Sequence, residues 1–202
     1  MKHFLTTGNI SETNIDAVLK KNFPEGIDFC YTDPPWGNGN LKYWNTMLGK
    51  NTSQTTDQLD QENLEDRVVN LISEHVNNYA FIVYGIREAK SIMSKLREKS
   101  NVKDVQYYEK TYNSGAKKHV NCVICITLNN AEVFDFSFMQ SVHGLNGLKV
   151  LIDFLKSKFD YKTALELFVG VGHYLKVLDR SGYTVVGNEL NPYRLQKAIA
   201  KL

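Results

Sequence analysis

The chain alternates short apolar runs with longer stretches in which apolar residues recur every three or four positions. This alternation predicts an α/β fold with a mainly parallel sheet, since strands and crossover helices then follow one another along the chain. The apolar runs predict seven strands, at residues 3–7, 27–32, 79–84, 105–112, 120–128, 163–168 and 183–188. The helical periodicity predicts helices at residues 12–21, 62–77, 86–99, 145–158, 172–181 and 193–202. Ser11 and Pro192 are residue types typical of helix starts.

Two neighbouring strands differ from the rest because no crossover helix fits between them. Strands 105–112 and 120–128 are linked only by the residues from Tyr112 to His119, which contain Asn-Ser-Gly. Such a link predicts an antiparallel hairpin. The second strand contains Cys122 and Cys125, whose spacing of three places the thiols on opposite faces. We interpret them as buried core residues rather than as a redox or zinc pair.

Composition narrows the class of protein. The 202 residues carry a net charge of +2, too small a bias to indicate nucleic acid by itself. No apolar run reaches the roughly 18 residues of a membrane span, and the first residues lack the apolar core of a signal peptide. Three cysteines, an odd number, fit a reducing compartment. We expect a single domain over residues 1–202, located in the cytoplasm of a prokaryote or of a virus-infected host cell, with no membrane partner and no bound metal.

The first motif that carries chemistry is Asp33-Pro34-Pro35-Trp36, at the end of strand 27–32. Two consecutive prolines fix the backbone and remove two amide donors, which frees carbonyl groups to face a ligand. Asp33 can accept a hydrogen bond from an exocyclic amine, and Trp36 offers a flat surface for a base. Acceptors that hold both amine protons favour a tetrahedral nitrogen and expose its lone pair to an incoming methyl group. The alternative is a proline-stiffened turn with Trp36 in the core.

The second motif is a glycine turn between a strand and a helix, Phe168-Val-Gly170-Val-Gly172. Glycines at these positions permit the close backbone approach that a cofactor requires. The next strand ends at Glu189, where an acidic residue binds ribose hydroxyls in nucleotide-binding units. The alternatives are tight strand–helix packing for the glycines and a solvated charge for Glu189.

These motifs, in this order, resemble the permuted β-group of DNA adenine-N6 and cytosine-N4 amino-methyltransferases, in a variant with Asp-Pro-Pro-Trp. The resemblance covers nearly the whole chain. It implies a Rossmann-like class I methyltransferase fold in circularly permuted order, with S-adenosyl-L-methionine as cofactor. It also implies that Asp33, Pro34, Pro35 and Trp36 are catalytic. Cofactor contacts are implied for Asp33, Phe168, Val169, Gly170, Gly172, His173, Tyr174, Glu189 and Leu190.

The chain departs from this family in three places. Trp36 stands where most bacterial members have Tyr, and a tryptophan there is more familiar from relatives that methylate adenosine in messenger RNA. The segment around His143 and Lys149 lacks the family's usual Lys-Pro. Residues 129–142 are too few for a large target-recognition region.

Recognition of the nucleic acid is therefore expected elsewhere. The candidates are Lys42 and Tyr43 in the polar segment 37–61, and Lys117 and Lys118 at the hairpin tip, which as surface lysines could equally be solvated. Three alternating aromatics, Phe134, Phe136 and Phe138, are either core or interface residues or a base-stacking surface.

The resemblance implies transfer of a methyl group to an exocyclic amine of a nucleobase. Asp33 favours N6 of adenine, because cytosine-N4 enzymes more often carry Ser at that position, and DNA is preferred to RNA as the substrate. Two alternatives stay open: an RNA adenine-N6 methyltransferase, and a weakly active or inactive nucleic-acid-binding subunit of a hetero-oligomer. Assembly as a homodimer is also open.

Overall fold

Seven strands of the described residues form one sheet. The computed structural model describes residues 2–10, 14–36, 61–114, 117–129, 131–142 and 144–202. The strands are β1 (Phe4–Thr7), β2 (Ile27–Thr32), β3 (Val76–Gly85), β4 (Val102–Ser114), β5 (Lys117–Leu128), β6 (Thr163–Glu166) and β7 (Thr184–Glu189), in the spatial order β1-β7-β6-β2-β3-β5-β4. The first five strands of this order run parallel, whereas β5 is antiparallel to both β3 and β4. The predicted fold class, a mainly parallel sheet with one antiparallel hairpin, is confirmed.

Helices cover both faces of the sheet. Those within the described residues are α1 (Ile15–Asn22), α2 (Gln61–His75), α3 (Ala89–Arg97), α4 (Gly144–Lys158), α5 (His173–Arg180) and α6 (Pro192–Ile199), with a short 3-10 helix at Ser137–Ser141. Apolar residues of α1, α2 and α3 pack in one core cluster, and those of α4, α5 and α6 pack in another. In the part of the chain that the structure describes, no helix is long and apolar enough to span a bilayer.

The two clusters confirm the interpretation of the cysteine pair. Cys122 belongs to the cluster under α1–α3 and Cys125 to the cluster under α4–α6. Both thiols are free and buried. Side chains that alternate along β5 therefore fill both cores, as expected for a strand covered on two faces.

The predicted boundaries of the hairpin were wrong. Its strands are longer than the apolar pattern indicates, and they pair up to Ser114 and Lys117, so residues predicted as a link belong to the ladder. The last residue of β3 with a partner on β5 is Gly85, opposite Asn121. Beyond that point the two hairpin strands pair only with each other among the described residues, so polar residues do not end the ladder.

Other predicted boundaries were also wrong, by up to three residues, and one signal for a helix start was correct. Helix α2 passes directly into β3 at Val76, three residues before the predicted strand, and β6 ends at Glu166 instead of residue 168. Helix α6 begins at Pro192 as predicted, and the side chain of Asn191 accepts hydrogen bonds from the first free amides of that helix. Ser11 lies outside the described residues.

Phe134, Phe136 and Phe138 form part of the core under α4. They do not alternate along a strand, because the chain is irregular there and then enters the 3-10 helix. Phe136 is 0% exposed, and its ring lies 5.7 Å from that of Phe154 on α4. Phe134 and Phe138 also contact Phe154, with ring centres 5.5 and 5.3 Å away. The core interpretation is therefore supported over a base-stacking surface.

We predict that Phe136→Ala lowers the free energy of unfolding by about 3–5 kcal/mol, because it leaves a cavity among packed rings. Val133→Ala, at a position that is 43% exposed, is the control and should cost less than about 0.5 kcal/mol. Urea unfolding monitored by circular dichroism measures both. Equal stabilities of the two variants would contradict the core interpretation.

Candidate functional site

The two predicted motifs meet at the centre of the sheet. Strands β6 and β2 lie side by side, but the chain continues from them in opposite directions, to β7 and to β3. In open α/β sheets, ligands bind outside the carboxyl ends of the strands at such a point. Here β6 ends with Glu166 and β2 with Thr32, whose hydroxyl donates a 3.2 Å hydrogen bond to Oε1 of Glu166.

Glu166 is a buried acid that sequence analysis did not single out. Its side chain is 0% exposed, and Oε1 also accepts a 3.0 Å hydrogen bond from the amide of Phe168. The other oxygen, Oε2, is buried and has no hydrogen-bond partner among the described residues. Burial raises the pKa of this carboxyl to about 8, and the nearby charges of Asp33 and Glu189 contribute to the rise. The available signal was an acid inside the apolar run from Ala164 to Leu167.

Asp33 stands at the mouth of the same site. Solvent reaches its carboxyl, yet the surrounding protein removes much of its hydration and raises its pKa to about 7. The indole N–H of Trp36 donates a hydrogen bond to this carboxyl and limits the rise. Pro34 is buried and Pro35 half-buried, so the segment between the two polar groups is held firmly in place.

Trp36 lies against the end of β3. A Cβ atom added to Gly85 would come within 2.5 Å of Cε3 of the indole and 2.5 Å of Oε2 of Glu88. Only glycine therefore leaves room for the ring at that position. Trp36 itself is half-buried, so part of its surface stays accessible.

The glycine turn is shaped partly by helix α6. Gly170 and Gly172 have φ values of 59° and 80°, which favour glycine. A Cβ on Gly172 would lie 2.7 Å from Cα of Ala198, and one on Gly170 would lie 3.1 Å from Nη2 of Arg194. The packing alternative thus explains Gly172. Gly170 faces the guanidinium group of Arg194, a residue that sequence analysis did not single out.

Glu189 ties this turn to β7. Its carboxylate accepts hydrogen bonds from the amides of Gly170, at 2.6 Å, and Asn191, at 3.0 Å. Burial raises the pKa of Glu189, while the Asn191 amide, Arg194 and the Gly170 amide act in the opposite direction. The side chain is 7% exposed, so the interpretation as a solvated charge is wrong. Each oxygen can still accept a second hydrogen bond, so a role toward ribose stays a prediction.

The other residues predicted to contact the cofactor lie in the glycine turn, just after β7 and at the start of α5. Val169 is buried and Phe168 half-buried in the glycine turn, and Leu190 is half-buried just after β7. His173 is exposed at the start of α5. The half-buried ring of Tyr174 lies 5.0 Å from that of Tyr31 on β2, edge to face.

Among the residues predicted to contact nucleic acid, Lys117 and Lys118 are placed by their backbone alone. They pair with Ser114 and Asn113 in the part of the hairpin that extends past β3. Lys42, Tyr43 and His143 lie outside the described residues. Lys149 is exposed on α4.

One cluster in the described ranges has metal-ligating groups at suitable distances: Asp16, Glu74 and His75. It lies in the α1–α2 layer. The Asp16 carboxylate is already bound by Arg67 and by Nε2 of His75, the latter at 2.9 Å. We interpret it as an ion-pair network that joins two helices.

Comparison with solved structures assigns the fold. M1.HpyAVI, also solved in complex with SAM, is 15% identical, with a TM-score of 0.61 over 99% of this chain and 98% of that chain. TTHA0409 of Thermus thermophilus, named as a proposed DNA modification methylase, is 17% identical, with a TM-score of 0.58 over 98% and 92%. The cytosine-N4-specific PvuII DNA methyltransferase is 13% identical, with a TM-score of 0.58 over 98% and 85%. The chain shares their fold. Neither a protein-family model nor a curated protein matches the sequence.

We predict that Gly172→Ala destabilises the protein by about 1–3 kcal/mol more than Gly182→Ala does. Both glycines have left-handed φ values, 80° and 89°, so both variants carry backbone strain. Only the Gly172 variant adds a clash, because no atom lies within 4 Å of a Cβ on Gly182. Thermal and urea unfolding compare the two, and equal losses would mean that α6 does not constrain the turn.

We predict that stability falls as pH rises between about 5 and 8, because Glu166 holds a proton in the folded state that it releases in the unfolded state. The contribution is present below the ordinary pKa of a glutamic acid and is lost as pH rises through about 8. Glu166→Gln keeps the shape without the titration, so its stability should vary less over this range and exceed the wild type at pH 8.5. Urea unfolding at several pH values measures this. Glu98→Gln, at an exposed helix end, controls for net charge. Parallel profiles for Glu166→Gln and wild type would refute the assignment.

Proposed function

We propose that the chain transfers a methyl group from S-adenosyl-L-methionine to an exocyclic amine of a nucleobase, N6 of adenine in DNA. The observation that carries this proposal is the position of Asp33 and Trp36 at the end of β2, beside Glu166 at the switch point of a methyltransferase fold. The neighbours include one solved with SAM and one specific for cytosine N4. Asp33 supports adenine, through the resemblance to amino-methyltransferases.

The residues at the site fit this cofactor. Two acids, Asp33 and Glu189, lie close enough to Glu166 to raise its pKa, and Oε2 of Glu166 lacks a partner among the described residues. Such a set suits a ligand with positive charge. The cofactor supplies a methyl group on a sulfonium, whose departure leaves a neutral thioether. Phe168, Val169, Gly170, Gly172, His173, Tyr174, Glu189 and Leu190 would contact it, together with Glu166.

Asp33 and the proline segment act on the amine. The Asp33 carboxylate accepts a hydrogen bond from one amine N–H, and a carbonyl of the donor-free Pro34-Pro35 segment accepts a hydrogen bond from the other. As the N–C bond forms, the nitrogen gains positive charge and loses a proton. A carboxyl whose pKa is about 7 is suited to receive that proton at neutral pH. Trp36, fixed by Gly85 and by its bond to Asp33, contacts the base.

We propose that residues 1–202 form one catalytic domain with nucleic acid as its partner. The polar segment with Lys42 and Tyr43, and the hairpin with Lys117 and Lys118, are proposed to contact the nucleic acid. The β-group assignment and the cytoplasmic location rest on sequence alone.

The test is transfer of labelled methyl groups from S-adenosyl-L-methionine to DNA and, separately, to RNA, followed by nucleoside analysis. We expect N6-methyladenine in DNA. Asp33→Ala should reduce transfer by about 10²–10⁴-fold. Calorimetry should still detect binding of the cofactor, because Glu166, Glu189 and the glycine turn are unchanged. Asp153→Ala, an exposed acid on α4, should change neither.

Other results would overturn the proposed target, the proposed activity or the proposed cofactor. N4-methylcytosine, or label in RNA alone, would overturn the proposed target. Unlabelled nucleic acid despite cofactor binding would overturn the activity. Absence of cofactor binding would favour the inactive subunit of a hetero-oligomer.

A further inference from the structure

A second polar position lies on the carboxyl side of the sheet, away from the acids. Lys110 on β4 is 4% exposed, although lysine is rarely buried unless it is paired. Among the described residues it has no hydrogen bond and no ion pair. Burial lowers its pKa, so its surroundings do not compensate the charge.

Two residues that precede Lys110 on the same face of β4 are hydrogen-bonded, in contrast to Lys110. Gln106 donates to the carbonyl of Phe134 at 2.8 Å, and the hydroxyl of Tyr108 donates to Oδ1 of Asp135 at 2.9 Å. Their partners, Phe134 and Asp135, lie in the irregular stretch before the 3-10 helix. Lys110 comes next along β4 toward the carboxyl edge of the sheet, and within the described ranges it makes no such hydrogen bond.

Register places Lys110 in one row with the proposed base-binding residue. Lys110 pairs with Asn121 on β5, and Asn121 pairs with Gly85 on β3, against which Trp36 lies. Paired residues of antiparallel strands project on the same face. Oδ1 of Asn121 is buried and has no partner within the described ranges. Asn121 and Lys110, two polar side chains without a described partner, therefore lie side by side in the row that leads from Trp36 to the outer strand of the sheet.

The ammonium of Lys110 points toward the start of α4. Its Nζ lies 3.7 Å from the position of a Cβ on Gly147, in the first turn of that 15-residue helix, and the carbonyl oxygen of Val142 lies 3.4 Å from the same position. The first turn of a helix carries free amides and a partial positive charge, which attract anions and repel an ammonium. A lysine directed there, with no counter-charge among the described residues, is therefore suited to hold an anion beside the helix.

We propose that Lys110 and the first turn of α4 bind a phosphate group of the nucleic-acid substrate, next to the nucleotide whose base Trp36 contacts. This inference rests on the proposed function. Asn121 lies between the two and contacts the same nucleotide. An anionic oxygen group could also come from the carboxylate of the cofactor. Phosphate is favoured because the row leads from Trp36 to the hairpin and away from β6 and β7, where the glycine turn lies.

The test uses Lys110→Met, which keeps the length of the side chain without its charge. Lys103→Met is the matched control, because Lys103 is an exposed lysine near the start of the same strand, where it donates to the carbonyl of Ala131. The probe is a fluorescein-labelled 30-base-pair duplex of randomised sequence, bound at several salt concentrations and followed by anisotropy. Calorimetry with S-adenosyl-L-methionine and thermal unfolding are measured on the same variants.

We expect Lys110→Met to weaken duplex binding about tenfold and to reduce the slope of log Kd against log salt by about 1, as for the loss of one phosphate contact. The cofactor Kd should stay within about twofold and the Tm should not fall, since a buried unpaired charge is removed. Lys103→Met should leave duplex binding unchanged.

Three results would overturn the inference. A weakened cofactor Kd with unchanged duplex binding would assign the site to the cofactor carboxylate. A lower Tm with both affinities unchanged would make Lys110 a structural residue. Equal duplex binding by wild type and Lys110→Met would show that Lys110 does not contact a phosphate. A wild type that binds no duplex would refute the proposed function itself.

Discussion

Burial of the Glu166 carboxyl is the constraint on which the site depends. A charged carboxyl is costly away from water, and this one lies between two central strands with only Thr32 and the Phe168 amide as described partners for one oxygen. Its neighbours Asp33 and Glu189 add negative charge to the same region. The protein tolerates this cluster by keeping protons on it near neutral pH. A cation bound at the site would lower that cost, which links the local electrostatics to a sulfonium cofactor.

Opposite charges are separated along the carboxyl edge of the sheet. The acids lie at the ends of β2, β6 and β7, while Lys110, which has no partner among the described residues, lies beyond β3 on the hairpin side. Trp36 stands between the two, fixed by the absence of a side chain at Gly85. This order suits a cationic methyl donor on one side, a base in the middle and an anionic backbone on the other. The hairpin strands extend past β3 on the same edge.

Much of this architecture could be predicted from sequence, because it depends on local patterns. Continuous apolar runs located the strands, and the proline and glycine motifs lie at strand ends, where parallel sheets bind ligands. Pro192 and the spacing of Cys122 and Cys125 were equally informative. Those features need no knowledge of distant neighbours.

The remaining features depend on contacts between distant parts of the chain. Glu166 is important because Thr32 of another strand lies beside it, and Gly172 is needed because Ala198 packs on it. The row from Gly85 through Asn121 to Lys110 exists only in the register of three strands. The hairpin was predicted too short because polar residues can extend a ladder that no longer carries a core face.

Proton release on cofactor binding is the direct consequence of the raised pKa values of the buried acids. Calorimetric titration of S-adenosyl-L-methionine at pH 7, in buffers of different ionisation enthalpy, counts the protons exchanged. If acids with raised pKa values meet a cationic ligand, binding releases protons, and Glu166→Gln releases fewer than the wild type. Binding without proton release, or with equal release from both proteins, would contradict the account.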